Sequence, residues 1–477
     1  MNTPIRRLSV VVLVLFAALL LQASQIIVFQ QESLNANPLN RRVRDAQFGG
    51  HRGSIVAGKT VLAESKPTSG GQFAYQRVYP SGELYAPITG FYSYDRGSTA
   101  LEESYNAELA GTADSQFVRR FVDTLTGEAP QGATVETTID PDAQAAAAKA
   151  LGKMKGGVIA LDVKTGAILT MVTSPSYDPN DIATHDIAAS DKAYQETLND
   201  SDGPLSNRAT NELYPPGSTF KLVTAAAALE DGVAPSDKVK TPSELTLPDT
   251  TTQLGNDTNC GNGEQTLDRA LQLSCNTAFA NVGLDLGADK LRAQAEKFGW
   301  DYQLADVNGA AARFPDDPDR PQTALSSIGQ YDVAANPLHI AMVAAGIANN
   351  GAVMQPYLVQ RIRGSDLRTI SETRPKKLSQ AMSSDNAAEL QNMMVNVVQD
   401  GTGTNARIDG VRVGGKTGTA QSSPDRPPYA WFTSFAEGSD RTIAVAVFVE
   451  SANIPRSEIG GNVVAAPIAK AVMKELL

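Results

Sequence analysis

No charged residue interrupts the 24 positions 8–31, and the stretch 10–21 is almost wholly apolar. At a rise of about 1.5 Å per residue, such a helix spans about 36 Å, more than a hydrocarbon core of about 30 Å. Arg6 and Arg7 precede it and favour an inside N-terminus. A cleaved signal peptide is the competing reading, but no small-x-small cleavage site follows. Ala17-Ala18-Leu19 lies inside the run, and Ala23-Ser24-Gln25 leads back into Ile26-Ile27-Val28. Arg41, Arg42 and Arg44 weaken the charge asymmetry but lie beyond the first turns. The pattern predicts an uncleaved single-pass anchor with the rest of the chain outside the cytoplasm.

Past residue 31 the pattern changes. Residues 32–59 are polar and carry Arg52-Gly53-Ser54-Ile55. Residues 60–130 are rich in Gly, Ser and Tyr without a sustained helical period, which predicts small β elements and loops. Thr137-Thr138-Ile139-Asp140-Pro141 reads as a strand end feeding a helix, with Pro at its first position and an Ala-rich body at 143–151. A hairpin signal comes next, because apolar runs at 158–161 and 167–172 flank Lys164-Thr165-Gly166. Helices are predicted at 220–229, 267–273, 278–286 and 337–348, and strands at 411–413, 431–435 and 442–449. An amphipathic helix closes the chain at 463–477. An early hairpin, a helical middle and late strands describe an α+β unit whose first and last strands share one antiparallel sheet. The predicted organisation is a tail at 1–7, an anchor at 8–31, a membrane-proximal domain at 32–136 and the α+β unit at 137–477.

Composition narrows the chemistry. The 477 residues carry 41 Lys+Arg against 52 Asp+Glu, a net charge of −11 that argues against a nucleic-acid partner. Two cysteines exclude a disulfide-dense scaffold and a four-cysteine zinc site. The three histidines, His51, His185 and His339, are too scattered for an HExxH helix and make a Ser-His-Asp triad improbable. Reactivity therefore falls to lysine, serine or carboxylates, and no cofactor or metal is expected.

Pro215-Pro216-Gly217-Ser218-Thr219-Phe220-Lys221 is the most informative stretch. A stiff turn leads into a helix apolar on most faces, which must be buried. At the first helical turn, Ser218 sits near free N–H groups, and Lys221 lies on the same face one turn later. A lysine among apolar neighbours loses its preference for the charged form, so its neutral amine can accept the serine proton. A capping serine with an incidental lysine would match the same spacing. The pattern gains weight from Ser274-Cys275-Asn276, 56 residues later, and Gly414-Gly415-Lys416-Thr417-Gly418-Thr419, 142 residues after that. Glycines 414, 415 and 418 are expected to let a ligand backbone approach that strand. A nucleophile with a lysine, a second hydroxyl with an amide, and a cation opposite are the parts of an acyl-serine enzyme that works without histidine. SxxK, SDN and KTG elements are established signatures of class A β-lactamases and penicillin-binding proteins.

The chain resembles the class B, monofunctional penicillin-binding proteins, most closely a short actinobacterial type, along nearly its whole length. Beyond the three motifs, the resemblance includes Arg52-Gly53-x-Ile55, Thr138-x-Asp140 with Gln144, and Gly157-Val158-x-Ala160-Leu161-Asp162. Pro175-x-Tyr177-Asp178-Pro179-Asn180, Gly329-Gln330, Pro337-Leu338 and Ala430-Trp431-Phe432 also match. It departs at Val56-Ala57-Gly58, where the longer pattern continues Asp-Arg-Asn-Gly, and at Cys275 inside the second motif. The resemblance implies the penicillin-recognising serine transpeptidase fold: a five-stranded antiparallel sheet flanked by helices, an all-α subdomain and a small β-rich membrane-proximal domain. It implies a D,D-transpeptidase that cross-links peptidoglycan stem peptides through an acyl-serine and is blocked by β-lactam antibiotics. Ser218 would be the nucleophile and Lys221 its base. Ser274 would relay a proton to the departing D-alanine, and Lys416 would keep the field positive. Asn276 would hold the substrate's backbone amide and help hold Lys221, Thr417 and Thr419 would bind the terminal carboxylate, and Gly418 would join them in binding substrate. Backbone N–H groups of Ser218 and Thr419 would form the oxyanion hole. A polytopic glycan polymerase is the partner implied.

Two rivals remain at this stage, a serine β-lactamase and a β-lactam-binding sensor or scaffold. A secreted β-lactamase needs neither an anchor nor about 125 residues ahead of the catalytic unit. A sensor is expected to carry a cytoplasmic effector, and seven residues before residue 8 are too few. No convincing glycosyltransferase constellation lies upstream of residue 137. Gln330 and Trp431 could line the groove or pack, the histidines are expected to be structural or exposed, and Glu102-Glu103 and Asp316-Asp317 to be solvated. Cys260 and Cys275, 15 residues apart in an oxidising compartment, are expected to pair. Two unpaired thiols, with Cys275 packed as a small hydrophobe, are the alternative.

Overall fold

The computed structural model describes residues 2–30, 34, 41–116, 131–420, 427–452 and 454–477. The chain divides into two compact units, residues 1–50 with 67–76, and residues 51–66 with 77–477. In the first, a helix spans Asn2–Gln25 and continues as a π-helical turn at Ile26–Gln30. The long helix is apolar enough to cross a membrane by length and composition. A second helix, Arg41–Phe48, sets the Phe48 ring edge-on to Phe73 at 5.0 Å.

The second unit contains two large sheets. In one, of six strands, the five strands Thr369–Glu372, Val359–Arg363, Thr134–Thr137, Ile55–Ala57 and Thr60–Pro67 lie side by side in that order. Ile55–Ala57 and Thr134–Thr137 run parallel, and the other pairs run antiparallel. Arg361 and Arg363 both reach Glu136, at 3.1 and 2.7 Å. This sheet therefore draws strands from both sides of the boundary expected at 136/137. At the departure from the longer family pattern, Val56-Ala57-Gly58 ends a strand in a tight turn, with Gly58 at φ 57°.

Within 82–109 the expected small β elements are present in the paired strands Tyr92–Ser93 and Gly97–Ser98, but much of the stretch is helical instead. Helices form at Gly82–Thr89, Ala100–Ser104 and Asn106–Leu109, each too short to display a period in the sequence. Residues 117–130 of the same stretch lie outside the described residues. Glu102 also overturns its reading, because it is wholly buried, held by Arg52 at 2.7 Å and Arg77 at 2.6 Å. Tyr79 adds its hydroxyl at 3.1 Å, and Arg77 also donates to the Gly53 carbonyl. Burial works against the Glu102 carboxylate, but the two guanidinium groups outweigh it and hold its pKa below the ordinary range.

The other sheet is antiparallel and five-stranded, in the order Arg412–Ala420, Tyr429–Glu437, Thr442–Ser451, Lys155–Asp162, Ile168–Ser174. The predicted hairpin forms its far edge. Asp162 accepts the N–H groups of Lys164 and Thr165, and Gly166 turns the chain at φ 81°. Alternation along Thr442–Ser451 sends Ala444, Ala446 and Phe448 into one core and Ile443, Val445 and Val447 into another. Helices Pro141–Leu151 and Ala466–Leu476 cover the second core, while Pro337–Ala348 lies over the first face. A helical subdomain surrounds Lys221–Glu230, whose residues 221–229 are all buried. Its helix Ser384–Asp400 has no counterpart in the elements expected from the sequence, nor do Ile187–Asn199, Ala288–Lys297 and Arg320–Ser326.

Candidate active site

Ser218 stands in a 3₁₀ turn, Gly217–Phe220, that runs directly into the Lys221–Glu230 helix, rather than in the first α turn itself. Two glycines shape the approach. Gly217 and Gly329 both adopt positive φ, 53° and 73°, and Gly217 N–H donates to the Gly329 carbonyl at 2.9 Å. A Cβ on Gly329 would sit 2.1 Å from the Gly217 oxygen, so only glycine fits the crossing. Trp431 Nε1 holds the Pro215 carbonyl at 3.0 Å from the other side. Trp431 is fully buried, tilted against Phe448, which makes it a packing residue that fixes the Ser218 turn.

Lys221 is buried at the start of its helix. Its Nζ donates to the Ser274 carbonyl at 2.8 Å and to Asn276 Oδ1 at 2.7 Å, and lies 3.3 Å from Ser274 Oγ. Lys416 reaches the same hydroxyl from the edge strand Arg412–Ala420, at 2.7 Å. Ser274 therefore sits between two lysines, in a left-handed conformation with φ 62° that L-residues adopt at a cost. Burial, then the Lys416 charge, drive the Lys221 pKa well below its ordinary value, against an opposing pull from Asp257. Burial lowers Lys416 to about 7, again opposed by Asp257. A neutral Lys221 keeps two N–H groups for Ser274 O and Asn276 Oδ1 and has a lone pair left to take a proton.

Asn276 begins the helix Asn276–Leu286, and its amide is heavily engaged. Oδ1 accepts from Lys221, while Nδ2 donates to the Gly255 carbonyl and to Asp257 Oδ2, both at 3.2 Å. One lone pair of Oδ1 is left to receive a substrate N–H. Cys275, the preceding residue, is bonded to Cys260 in a disulfide. Thr258 Oγ1 donates to the Leu273 carbonyl at 2.6 Å, so the 255–260 loop is tied at two points beside Ser274.

Thr419 is exposed on the edge strand, whereas Thr417 is buried with its hydroxyl 2.7 Å from Thr402 Oγ1. Gly414 and Gly415 do not make room for a ligand. Added Cβ atoms there would meet the rings of Phe435 and Phe432, at 2.4 and 2.7 Å. Gly418 likewise accommodates Trp431 Cβ and the Pro216 carbonyl, so all three glycines serve internal packing. Ser218, Asn276 and Thr419 open onto one cleft of about 1040 Å³, whose wall includes Asp257, Gln330 and Arg456. Asp257 and Arg456 carried no signal in the sequence; only their place in the fold brings them to the cleft.

The outlying residues divide as expected in part. His339 is buried, with Nδ1 2.7 Å from Asn336 Oδ1 and its ring against Trp300, and burial lowers its pKa to about 4. Asp316 and Asp317 are exposed.

Residues 156–474 match the family model of the penicillin-binding protein transpeptidase domain, and residues 52–135 that of the penicillin-binding protein A dimerisation domain. Along its whole length the chain is 44% identical to a peptidoglycan D,D-transpeptidase PbpA of Mycolicibacterium smegmatis, covering 99% of that protein. It is 41% identical to the corresponding protein of Mycobacterium tuberculosis, again over 100% of this chain and 99% of the relative. The ceftriaxone acyl-enzyme of the M. tuberculosis protein superposes with a TM-score of 0.87 and 41% identity, over 91% of this chain and 100% of that one. Its penicillin G acyl-enzyme gives 0.84 and the same identity, over 90% and 99%. With the serine, lysine and amide elements meeting in one cleft, and both family models matched in order, the chain belongs to the class B penicillin-binding proteins.

Proposed function

We propose that this protein is a peptidoglycan D,D-transpeptidase that acts through an acyl-serine at Ser218. The observation that carries the proposal is the convergence of Lys221, Ser274, Asn276 and Lys416 beside the Ser218 turn. Ser218 Oγ attacks the carbonyl between the two terminal D-alanines of a stem peptide, and its proton passes to the neutral amine of Lys221. The C–N bond then breaks, and D-alanine departs with a proton delivered through Ser274, which lies within reach of both lysines. In the second half, a neutral amine from a neighbouring stem attacks the ester. Its surplus proton returns to Ser218 as the new amide forms. Backbone N–H groups of Ser218 and Thr419 stabilise the oxyanion, a role commonly worth about 2.7–4 kcal/mol per donor. Lys416 and Thr419 face the substrate's terminal carboxylate. β-Lactams enter the same route and stall as the ester, a reading supported by the ceftriaxone and penicillin G acyl-enzymes of the M. tuberculosis protein.

The Asn2–Gln25 helix supports a single-pass membrane anchor with an inside N-terminus and an extracytoplasmic catalytic unit. A polytopic glycan polymerase is the partner this family resemblance implies, tested by co-purification in mild detergent. Activity itself is tested with a pentapeptide stem and an amine acceptor. D-Alanine release matched by cross-linked product is expected, and Ser218→Ala should abolish both. Release without cross-linking would reduce the protein to a carboxypeptidase.

A further inference from the structure

Asp257 has no place in the reaction just described, yet it is the one carboxylate among the described cleft-lining residues. It lies on an exposed loop, 19 positions before Asn276, and accepts from Asn276 Nδ2 at 3.2 Å. An amide side chain is nearly symmetric in shape, so packing does little to choose which end faces Lys221. Hydrogen bonding decides it here. With Gly255 O and Asp257 Oδ2 both demanding N–H donors, Nδ2 must face the loop and Oδ1 must face Lys221. The reversed amide would press an NH₂ group against the lysine and two acceptors against each other.

The loop that presents Asp257 is held on both flanks. Asn256 Oδ1 accepts from Thr277 N–H at 3.0 Å, Asn256 Nδ2 donates to Thr277 Oγ1 at 3.0 Å, and Cys260 is bonded to Cys275. These ties join residues 256 and 260 to the two residues that bracket Asn276, so the carboxylate and the amide move as one piece. Its charge also acts beyond the contact: it opposes the lowering of both lysines' pKa values, while Lys416 is the other charge bearing on Lys221.

We infer that Asp257 is a positioning residue for acylation: it fixes the Asn276 amide so that its oxygen, not its nitrogen, holds Lys221 against Ser274. This rests on the acyl-serine reading of the site and refines it.

The test is the second-order rate of Ser218 acylation by a fluorescent penicillin, measured from pH 5 to 10 on the full-length protein in detergent. Asp257→Ala should slow acylation about 10- to 100-fold, the kinetic equivalent of losing one charge-assisted hydrogen bond. Asp257→Asn keeps an acceptor for Asn276 and loses the charge. It should recover most of that rate, while its pH profile shifts to lower pH as the lysines lose a neighbouring anion. Thermal unfolding of each variant shows whether the fold is kept. If Asp257→Ala is folded and acylates at the unsubstituted rate, the proposal fails and the acyl-serine reading stands. Equal slowing by both variants with an unmoved profile also overturns it, because the carboxylate would then act only as loop structure. Absence of any adduct on the unsubstituted protein overturns the acyl-serine reading and this proposal together.

Discussion

Lys416 Nζ donates to Ser274 Oγ at 2.7 Å, although the two residues stand 142 positions apart. The edge strand of the five-stranded sheet carries the lysine, and the helical subdomain carries the serine in a strained left-handed conformation. Lys221 approaches the same hydroxyl from a third element at 3.3 Å. One hydroxyl between two buried amines is an arrangement for moving a proton, and removing each member has a different consequence.

On the proposed roles, Lys221→Ala removes the base and should slow penicillin acylation by orders of magnitude. Ser274→Ala leaves base and nucleophile in place but cuts the relay to the leaving group, so peptide turnover should fall further than acylation by a β-lactam, whose leaving nitrogen stays tethered. General acid–base steps contribute about 10²- to 10⁴-fold, which sets the scale for both. Stopped-flow acylation beside D-alanine release separates them. Equal losses in both assays would contradict the relay.

The pH dependence follows from the directions of the two shifts. Lys221 must be neutral to accept a proton, and burial depresses its pKa, so the rising limb should lie far below an ordinary lysine's range. Lys416 is proposed to act as a cation, and burial lowers its pKa to about 7, so acylation should decline as pH rises beyond that point. The two limbs belong to the coupled pair rather than to either lysine alone. Acylation that climbs steadily to pH 10 would contradict this order.

Glu102→Gln tests the buried cluster built around a carboxylate whose local sequence points to solvent. The substitution takes from Arg52 and Arg77 the buried carboxylate that both contact, and removing one partner of such a cluster costs about 3–5 kcal/mol. Chemical denaturation of the soluble part of the chain should show the loss. A variant as stable as the parent would mean water reaches the two guanidinium groups.

The Cys260–Cys275 bond closes a 15-residue separation and should contribute about 3 kcal/mol by restricting the unfolded chain. Thiol titration of denatured, unreduced protein should find no free thiol. Two free thiols would refute the bridge, and Cys260→Ser should lower stability without removing Ser218.

What the sequence made legible follows from periodicity and rigid motifs. The 158–172 hairpin, the buried helix after Lys221 and the Lys416 strand each announce themselves through local residue order. Ser384–Asp400 is equally legible, with Ser383 capping it and Leu390, Met394 and Val397 on one face. The strands Val359–Arg363 and Thr369–Glu372 were not legible, because their half-polar runs make sense only beside Glu136, more than two hundred positions away. Glu102 looked like one of two surface acids, and nothing local marks it as the partner of Arg52, 50 positions earlier. Glycines 414, 415 and 418 suggest ligand approach, yet their space is taken by the Phe435 and Phe432 rings and, at Gly418, by Trp431 Cβ and the Pro216 carbonyl. Asp257 stayed hidden for the same reason: its meaning depends on the loop's closure against Asn276.

The most direct measurement is the intact mass of the protein after labelled penicillin G, followed by peptide mapping of the adduct. The expected result is one penicilloyl group per chain, located on Ser218, persisting for hours and absent from Ser218→Ala. An adduct of the same yield on Ser218→Ala would contradict the account, and release within minutes would make the protein a β-lactamase.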